Sequence, residues 1–342
     1  MTNNWCSRRR WSWGAALVAF GAAGCGGKSV DLDAQGSLEP GTVIDEREIA
    51  TLLAVDDQRL YWSTIAKLRS CAKTDCTSSL VDYPAPQPMG TERDGVYWLA
   101  PYAGELFWQT AHEVLACPAS GCAGTPRVVA SAPYGAYAVD EEGVFAVTSD
   151  GVYSAPRKGG PWSLLAALPA GQEPGSAVAH GPHLYWTRET EDAQFTVGRV
   201  PKDGSSEPEV LARFDSHPGW GAALGVNDTH VYFADMRQAG AIFRCPLAGC
   251  AGSPENLFGP LRSPAQLAVD NDQLCVVYGK ELSDRRAGCW ATHDVPKITD
   301  VFARAESVVM DASDVYVSRT LLERGTLEFD ASPVVRISRI AR

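Results

Sequence analysis

Two ten-residue segments, CPASGCAGTP at 117–126 and CPLAGCAGSP at 245–254, are almost identical, and each carries two cysteines five positions apart. Cys71 and Cys76 repeat that separation in a different local sequence. Paired thiols at this spacing support two chemistries, a disulfide across a short turn or one half of a four-thiolate zinc site. The choice between them depends on the elements that carry the cysteines.

The cysteines lie within an internal repeat of about 40 residues. Seven segments each combine a run of small and apolar residues, a polar turn, and Leu or Val followed in most copies by an aromatic residue. The eleventh residues of these segments are Tyr61, Phe107, Phe145, Tyr185, Tyr232, Cys275 and Tyr316. Two further strand-like runs follow each segment except the last. Four short strands per repeat, rich in β-branched and aromatic residues, predict the blades of a β-propeller.

The two ends of the repeat region are complementary. The last repeat stops after one additional run, VVRISRIA at 334–341, whereas the unmatched run TVIDE at 42–46 precedes the first repeat. We therefore predict an all-β, seven-bladed β-propeller of four-stranded antiparallel blades over residues 42–342. The N-terminal strand is expected to close the ring by completing the last blade.

This architecture places the cysteine pairs between the third and fourth strands of their blades, where the residues flanking a four-residue turn face each other. Cys275 and Cys289 occupy equivalent positions on the second and third strands of the sixth blade. The predicted disulfides are Cys71–Cys76, Cys117–Cys122, Cys245–Cys250 and Cys275–Cys289. A zinc site is the less favoured alternative, because it would need two cysteine pairs together and each pair with five-position spacing lies on its own blade. Four disulfides are typical of an oxidising compartment.

The N-terminal residues resemble the signal of a bacterial lipoprotein. Arg8, Arg9 and Arg10 precede the apolar stretch WGAALVAFGAAG, and Ala22-Ala23-Gly24-Cys25 is similar to a lipobox, although Leu is usual where Ala22 stands. The resemblance implies a signal peptide over 1–24, a lipid on Cys25, and a flexible tether over 25–41. A plain secretory signal is the alternative, and SRRRW also resembles a twin-arginine motif. Each route leads out of the cytoplasm, and the lipobox resemblance implies an exported protein that is attached by lipid to the envelope and faces the periplasm or cell surface.

The charge balance argues against one class of partner. The chain carries a net charge of −11, and removal of residues 1–24 would take away three arginines and no acidic residue. Such a surface repels phosphate backbones, so nucleic acid is not expected as a partner.

The segments LYWST, LFWQT and LYWTR resemble the YWTD-type blades of lipoprotein-receptor propellers, and the repeat is also NHL-like. YWTD rings have six blades, so the predicted count of seven departs from that family. The resemblance implies that Trp62, Trp108 and Trp186 fill the core between blades rather than stack on a ligand.

Polar residues recur at the sixth position of the repeat, after the innermost strand and near one mouth of the central channel. The candidate ligands there are Asp56, Asp140, His180, Asn227, Asp270 and Asp311. A ring of such oxygens could hold Ca²⁺. The favoured alternative is that Asp and Asn occur because they bond the backbone of their own turns, so no cofactor is predicted.

No G-x-S-x-G, H-E-x-x-H or P-loop motif is present, and no catalytic residue is predicted. We predict a binding or scaffold module of the cell envelope, with a protein, peptide or glycan as candidate partner. A lyase or lactonase acting at the channel mouth is the alternative. The connections after the second strands of the later blades are expected to share one face with DSHPGWGA at 215–222, which contains Trp220.

Overall fold

The computed structural model describes residues 41–46, 50–64, 67–84, 95–190, 194–215, 223–235, 240–250, 253–279, 284–292, 300–303, 305–321 and 334–341. All regular secondary structure in these ranges is β-strand. Within them no helix is long and apolar enough to cross a membrane. The predicted signal peptide, Cys25 and Trp220 lie outside the described residues.

The strands are numbered in chain order. The first fourteen are β1 (Gly41–Glu46), β2 (Ala50–Val55), β3 (Arg59–Thr64), β4 (Leu68–Ala72), β5 (Val81–Tyr83), β6 (Trp98–Tyr102), β7 (Glu105–Gln109), β8 (Glu113–Pro118), β9 (Arg127–Ser131), β10 (Ala136–Val139), β11 (Val144–Val147), β12 (Gly151–Ala155), β13 (Ser163–Ala167) and β14 (Gln172–His180). The others are β15 (His183–Thr190), β16 (Gln194–Pro201), β17 (Glu209–Asp215), β18 (Leu224–Val226), β19 (His230–Ala234), β20 (Gly240–Pro246), β21 (Glu255–Leu261), β22 (Gln266–Val269), β23 (Gln273–Tyr278), β24 (Arg286–Ala291), β25 (Asp300–Ala303), β26 (Ala305–Met310), β27 (Asp314–Leu321) and β28 (Val334–Ala341).

These strands form four-stranded antiparallel sheets arranged as a β-propeller. Six sheets use consecutive strands: sheet 1 is β2–β5, sheet 2 is β6–β9, sheet 3 is β10–β13, sheet 4 is β14–β17, sheet 5 is β18–β21 and sheet 6 is β22–β25. Sheet 7 combines both ends of the chain in the order β1-β28-β27-β26. The predicted pairing of TVIDE with VVRISRIA is confirmed, because Ile44 lies opposite Ile337 and Glu46 opposite Val335.

The strand that comes first after the connection from the preceding sheet, which in sheet 7 is β26, lines the centre of the ring. Each contacts the first strands of the neighbouring sheets, and β26 of sheet 7 contacts β2 of sheet 1. Because the strands of a sheet alternate in direction, the turns after its first and third strands emerge at one end, here called the turn face. The connections after the second and fourth strands emerge at the other end, here called the connection face.

The core lies between neighbouring sheets. Trp62, Trp108 and Trp186 are at most 2% exposed, which confirms the prediction that they are buried. Trp186 packs closely because its cross-strand partner is Gly198, where an added Cβ would overlap the indole. The repeated aromatic residue therefore serves packing, as large rings do in this fold.

Some predicted boundaries were wrong. Thr187, Arg188 and Glu189 continue β15, and Ser318 to Leu321 continue β27, so the connections after these second strands begin later than the sequence pattern indicates. The fourth strands of the disulfide-containing sheets start later than expected, five residues after the second cysteine at Val81, Arg127 and Glu255.

Candidate functional site

The channel-mouth residues lie on the turn face, directly after the first strand of each sheet. Five of them accept hydrogen bonds through Oδ1 from the backbone amides two and three residues later: Asp56, Asp140, Asn227, Asp270 and Asp311. The backbone amide of each of these five residues also donates a hydrogen bond to the carbonyl of the residue three positions later. The geometry is that of a turn stabilised by its own side chain.

Sheets 2 and 4 depart from this pattern for a visible reason. Tyr102 and His180 stand at the equivalent position, and both precede two-residue turns that contain glycine. Ala103 and Gly104 both have positive φ, as a tight hairpin turn of the favoured twist requires. Gly181 has a φ of 52°. In sheet 4 the residue two positions after His180 is Pro182, which has no amide hydrogen to donate to a side chain.

The second oxygens of the carboxylates bond other side chains. Asp140 Oδ2 contacts Lys202 Nζ of sheet 4, and Asp311 Oδ2 lies 2.6 Å from Lys73 Nζ of sheet 1. Asp56 Oδ2 accepts a hydrogen bond from the Tyr61 hydroxyl at 2.7 Å. These oxygens join strands and sheets, and the described residues contain no cluster of three or more His, Cys, Asp or Glu side chains suited to a metal ion.

Two of these bonds join neighbouring sheets, one through the buried Lys202 and the other through the half-buried Lys73. The Lys202 side chain is 2% exposed and also lies 3.2 Å from Glu142 Oε1. Burial alone would lower the pKa of this ammonium, but the hydrogen bonds and charges of Asp140 and Glu142 hold it above its ordinary value. Lys73 makes the corresponding contact from sheet 1 to sheet 7, where the two ends of the chain meet. The sequence did not single out either lysine.

His180 belongs to a different arrangement from the one expected. Its Nε2 lies 3.2 Å from Asp228 Oδ1, and Asp228 Oδ2 accepts a hydrogen bond from Asn271 Nδ2 at 2.6 Å. These three residues come from sheets 4, 5 and 6. His183 lies opposite His180 across the turn. Burial and the cation of Arg199 lower the pKa of His183. The structure therefore shows one histidine–carboxylate pair at the channel mouth.

All four predicted disulfides are present, with Cα–Cα distances of 4.7 Å for Cys71–Cys76, 5.3 Å for Cys117–Cys122, 5.1 Å for Cys245–Cys250 and 4.1 Å for Cys275–Cys289. In the two similar segments, the amides of Gly121 and Gly249 close turns onto the carbonyls of Pro118 and Pro246. Both glycines have positive φ, which explains why glycine recurs there.

The two similar disulfide-bonded turns share a contact with the preceding sheet. The carbonyl of Ala119 accepts a hydrogen bond from the Tyr83 hydroxyl of sheet 1 at 2.7 Å. The carbonyl of Leu247, at the same position of the other segment, accepts one from Arg199 of sheet 4. Each disulfide thus holds a turn whose carbonyl joins two sheets. Disulfides of this kind are consistent with an exported protein.

A cleft of about 620 Å³ lies between sheets 2 and 3, here called the rim cleft. It is lined by Ser131, Ala132, Pro133, Tyr134, Thr148, Ser149, Asp150, Tyr153 and Trp162. Tyr134 is 75% exposed. Aromatic side chains that line a concavity are typical of small-molecule sites. The sequence did not predict this cleft, because its aromatic residues come from three unrelated positions in the repeat.

Hydrogen bonds hold the walls of the rim cleft in place. Trp162 Nε1 donates to the carbonyl of Ser131 at 2.8 Å, and the Tyr153 hydroxyl donates to Asp150 Oδ2 at 3.1 Å. Thr148 Oγ1 donates to Asp150 Oδ1 at 2.5 Å. From behind, the buried Arg188 of sheet 4 donates through Nη2 to Ser149 O at 2.6 Å. The cleft is therefore shaped before any ligand arrives.

Comparisons with solved structures show the fold. A puromycin-hydrolyzing peptidase of Mycobacterium tuberculosis aligns with a TM-score of 0.59 and 13% identity, over 86% of this chain and 53% of that one. The extracellular domain of a B. thetaiotaomicron protein assigned as a one-component system aligns at 0.51 and 9%, over 86% and 38%. Saccharomyces cerevisiae Sqt1 aligns at 0.51 and 9%, over 87% and 97%. This chain thus spans about half the length of the peptidase and less of the extracellular domain. No protein-family model and no curated protein matches the sequence.

Proposed function

We propose that this chain is an exported binding module of the cell envelope, anchored by a lipid on Cys25, and that it holds its ligand in the rim cleft. Its seven sheets would be the blades of one propeller that resembles the YWTD-like and NHL-like rings. The observation that carries the proposal is the cleft itself, with Tyr134, Tyr153 and Trp162 around it. Tyr134 is exposed, Tyr153 and Trp162 are half-buried, and aromatic side chains bury large areas when they bind a ligand.

The lipobox-like sequence and the four disulfides support export. Replacing Cys25 with serine should release the protein from membranes into the soluble fraction if lipid anchors it. Membrane attachment that persists in this variant would reject the anchor without affecting the binding proposal.

Crosslinking in cells tests the proposed site. A photoreactive benzoylphenylalanine at position 134 should crosslink a bound molecule, and the same group at position 97 provides the control. Tyr97 is 47% exposed but does not line the cleft. The proposal predicts a discrete adduct from position 134 that Trp162→Ala abolishes. Equal adducts from both positions, or none from position 134, would reject it.

A second candidate function rests on the His180–Asp228 pair at the channel mouth. The carboxylate of Asp228, bonded to Nε2 of His180, orients the imidazole ring, and an oriented imidazole is a common general base in enzymes. A lyase or lactonase would then lose activity on His180→Gln but retain it when the rim cleft is altered. Screening small esters and glycans with these two variants separates the candidates.

A further inference from the structure

The rim cleft combines aromatic rings with a single charge. Of the nine residues that line it, Asp150 alone is ionisable to an anion at neutral pH, and none is basic. We infer that the rim cleft binds a small organic cation, an alkylammonium group carried on an apolar body. This inference rests on the proposed function, since it names the ligand class of the same site.

The carboxylate is held and kept ionised. Hydrogen bonds from the hydroxyls of Thr148 and Tyr153 lower the pKa of Asp150, so it carries a full negative charge at any physiological pH. Each oxygen accepts one of these bonds. A carboxylate oxygen has room for a second donor or a close cation. Asp150 is therefore oriented by its neighbours while remaining available to a ligand.

The rings supply the second attraction. The face of an aromatic ring is electron-rich and attracts a cation placed within about 6 Å of its centre. Trp162 is fixed by its bond to Ser131 and packs against Tyr137 with ring centres 6.4 Å apart. Tyr153 is fixed through Asp150, and Tyr134 contributes an exposed ring. Two of the three rings thus need little reorganisation on binding.

The size of the cleft selects the kind of cation. A volume of about 620 Å³ lies within the range of small-molecule sites, which is about 300–1,000 Å³, and exceeds the volume of an ammonium group alone. The remaining space is lined by Ala132, Pro133 and the rings, which favour apolar substituents. An inorganic cation would leave this apolar lining uncovered.

One other charge acts on Asp150: the cation of Arg188 stabilises the carboxylate, although less than the hydrogen bonds from Thr148 and Tyr153 do. Arg188 is the cation behind the loop, but it is 1% exposed and its Nη2 donates to the carbonyls of Ser149, Pro169 and Gln172. It positions the loop and does not line the cleft. The net charge of −11 attracts cations over longer distances.

Choline and 3,3-dimethyl-1-butanol test the inference, because the alcohol has the shape of choline with carbon in place of the charged nitrogen. Titrations of the purified full-length protein in detergent, followed by NMR or calorimetry, should show choline binding about tenfold more tightly than the alcohol. Asp150→Asn should remove this preference, and Tyr134→Leu should reduce it while keeping apolar contact. Asp203→Asn is the matched control, since Asp203 bonds its own turn through Ser205 N, distant in sequence from the cleft.

The outcomes separate the inference from the proposed function. Equal affinities for choline and the alcohol would overturn the cation assignment but leave binding at the cleft intact. A choline affinity unchanged by Asp150→Asn, or no saturable choline binding, would also overturn it. The crosslinking from position 134 decides the proposed function independently of all three results.

Discussion

Replacing Lys202 with methionine would remove the cation that joins sheets 3 and 4. Its ammonium contacts Asp140 and lies 3.2 Å from Glu142, and the side chains of Lys202 and Asp140 are 2% and 9% exposed. Removing one partner of a buried pair costs about 3–5 kcal/mol, because the other charge remains buried. Glu142 is 46% exposed and can reach water. We therefore expect Lys202→Met to lower the free energy of unfolding by about 3 kcal/mol, the lower end of that range.

A double-mutant cycle isolates the pair. Asp140→Asn removes the carboxylate charge but retains the Oδ1 that accepts the amides of Glu142 and Gly143. In the double variant no buried charge is left at this position, so its loss of stability should fall short of the sum of the two single losses by more than about 1 kcal/mol. Urea unfolding followed by tryptophan fluorescence measures each value.

The control is Lys158→Met, because Lys158 is exposed; its effect should stay within about 0.5 kcal/mol.

The pKa of Lys202 in the folded protein is above its ordinary value of 10.5. The stabilisation is therefore complete below pH 10.5 and is lost only as the pH rises through the folded pKa. An effect of Lys202→Met no larger than that of the control, or additive losses in the cycle, would refute the reasoning.

Three other predictions follow from the described contacts. Loss of the Cys117–Cys122 bond, by serine at both positions, should cost about 2 kcal/mol on the chain-entropy model; a loss of more than twice this by urea unfolding would contradict that account. Gly198→Ala should cost about 1–3 kcal/mol, because the new methyl overlaps Trp186, and an unchanged melting temperature would show that the indole can move. Burial raises the pKa of Asp311, but the hydrogen bonds from Lys73, Ser313 and Asp314 together outweigh it and hold that pKa below its ordinary 3.8. Its contribution is present above pH 3.8 and lost as the pH falls through the folded pKa. The difference in stability between wild type and Asp311→Asn should thus shrink only below that pH, and a difference that disappears by pH 6 would contradict it.

The fold was predictable because its signals repeat. A strand, turn and strand recur in every copy of the repeat, and the residue at the eleventh position, aromatic in all copies except that of Cys275, is buried each time. The closing pairing of β1 with β28 followed from one missing and one surplus strand. The disulfides were predictable for the same reason, since Cys117 and Cys245 occupy one position of the repeat in two different sheets.

The candidate site was not predictable because it breaks the repeat. Tyr134 lies on the connection between sheets 2 and 3, and Trp162 lies just before the fourth strand of sheet 3. Only the twist and packing of neighbouring sheets bring them together around Asp150. The pairing of His180 with Asp228 likewise joins two sheets. The spacing of residues within the repeat does not predict which side chains contact each other between neighbouring sheets.

A crystal structure of the protein soaked with choline would show directly whether the rim cleft binds an organic cation. We expect electron density for choline in the rim cleft, with its quaternary nitrogen near Asp150 and the rings of Tyr134, Tyr153 and Trp162. Ligand density at the channel mouth beside His180 and Asp228, with the rim cleft empty, would contradict the account and favour the enzyme.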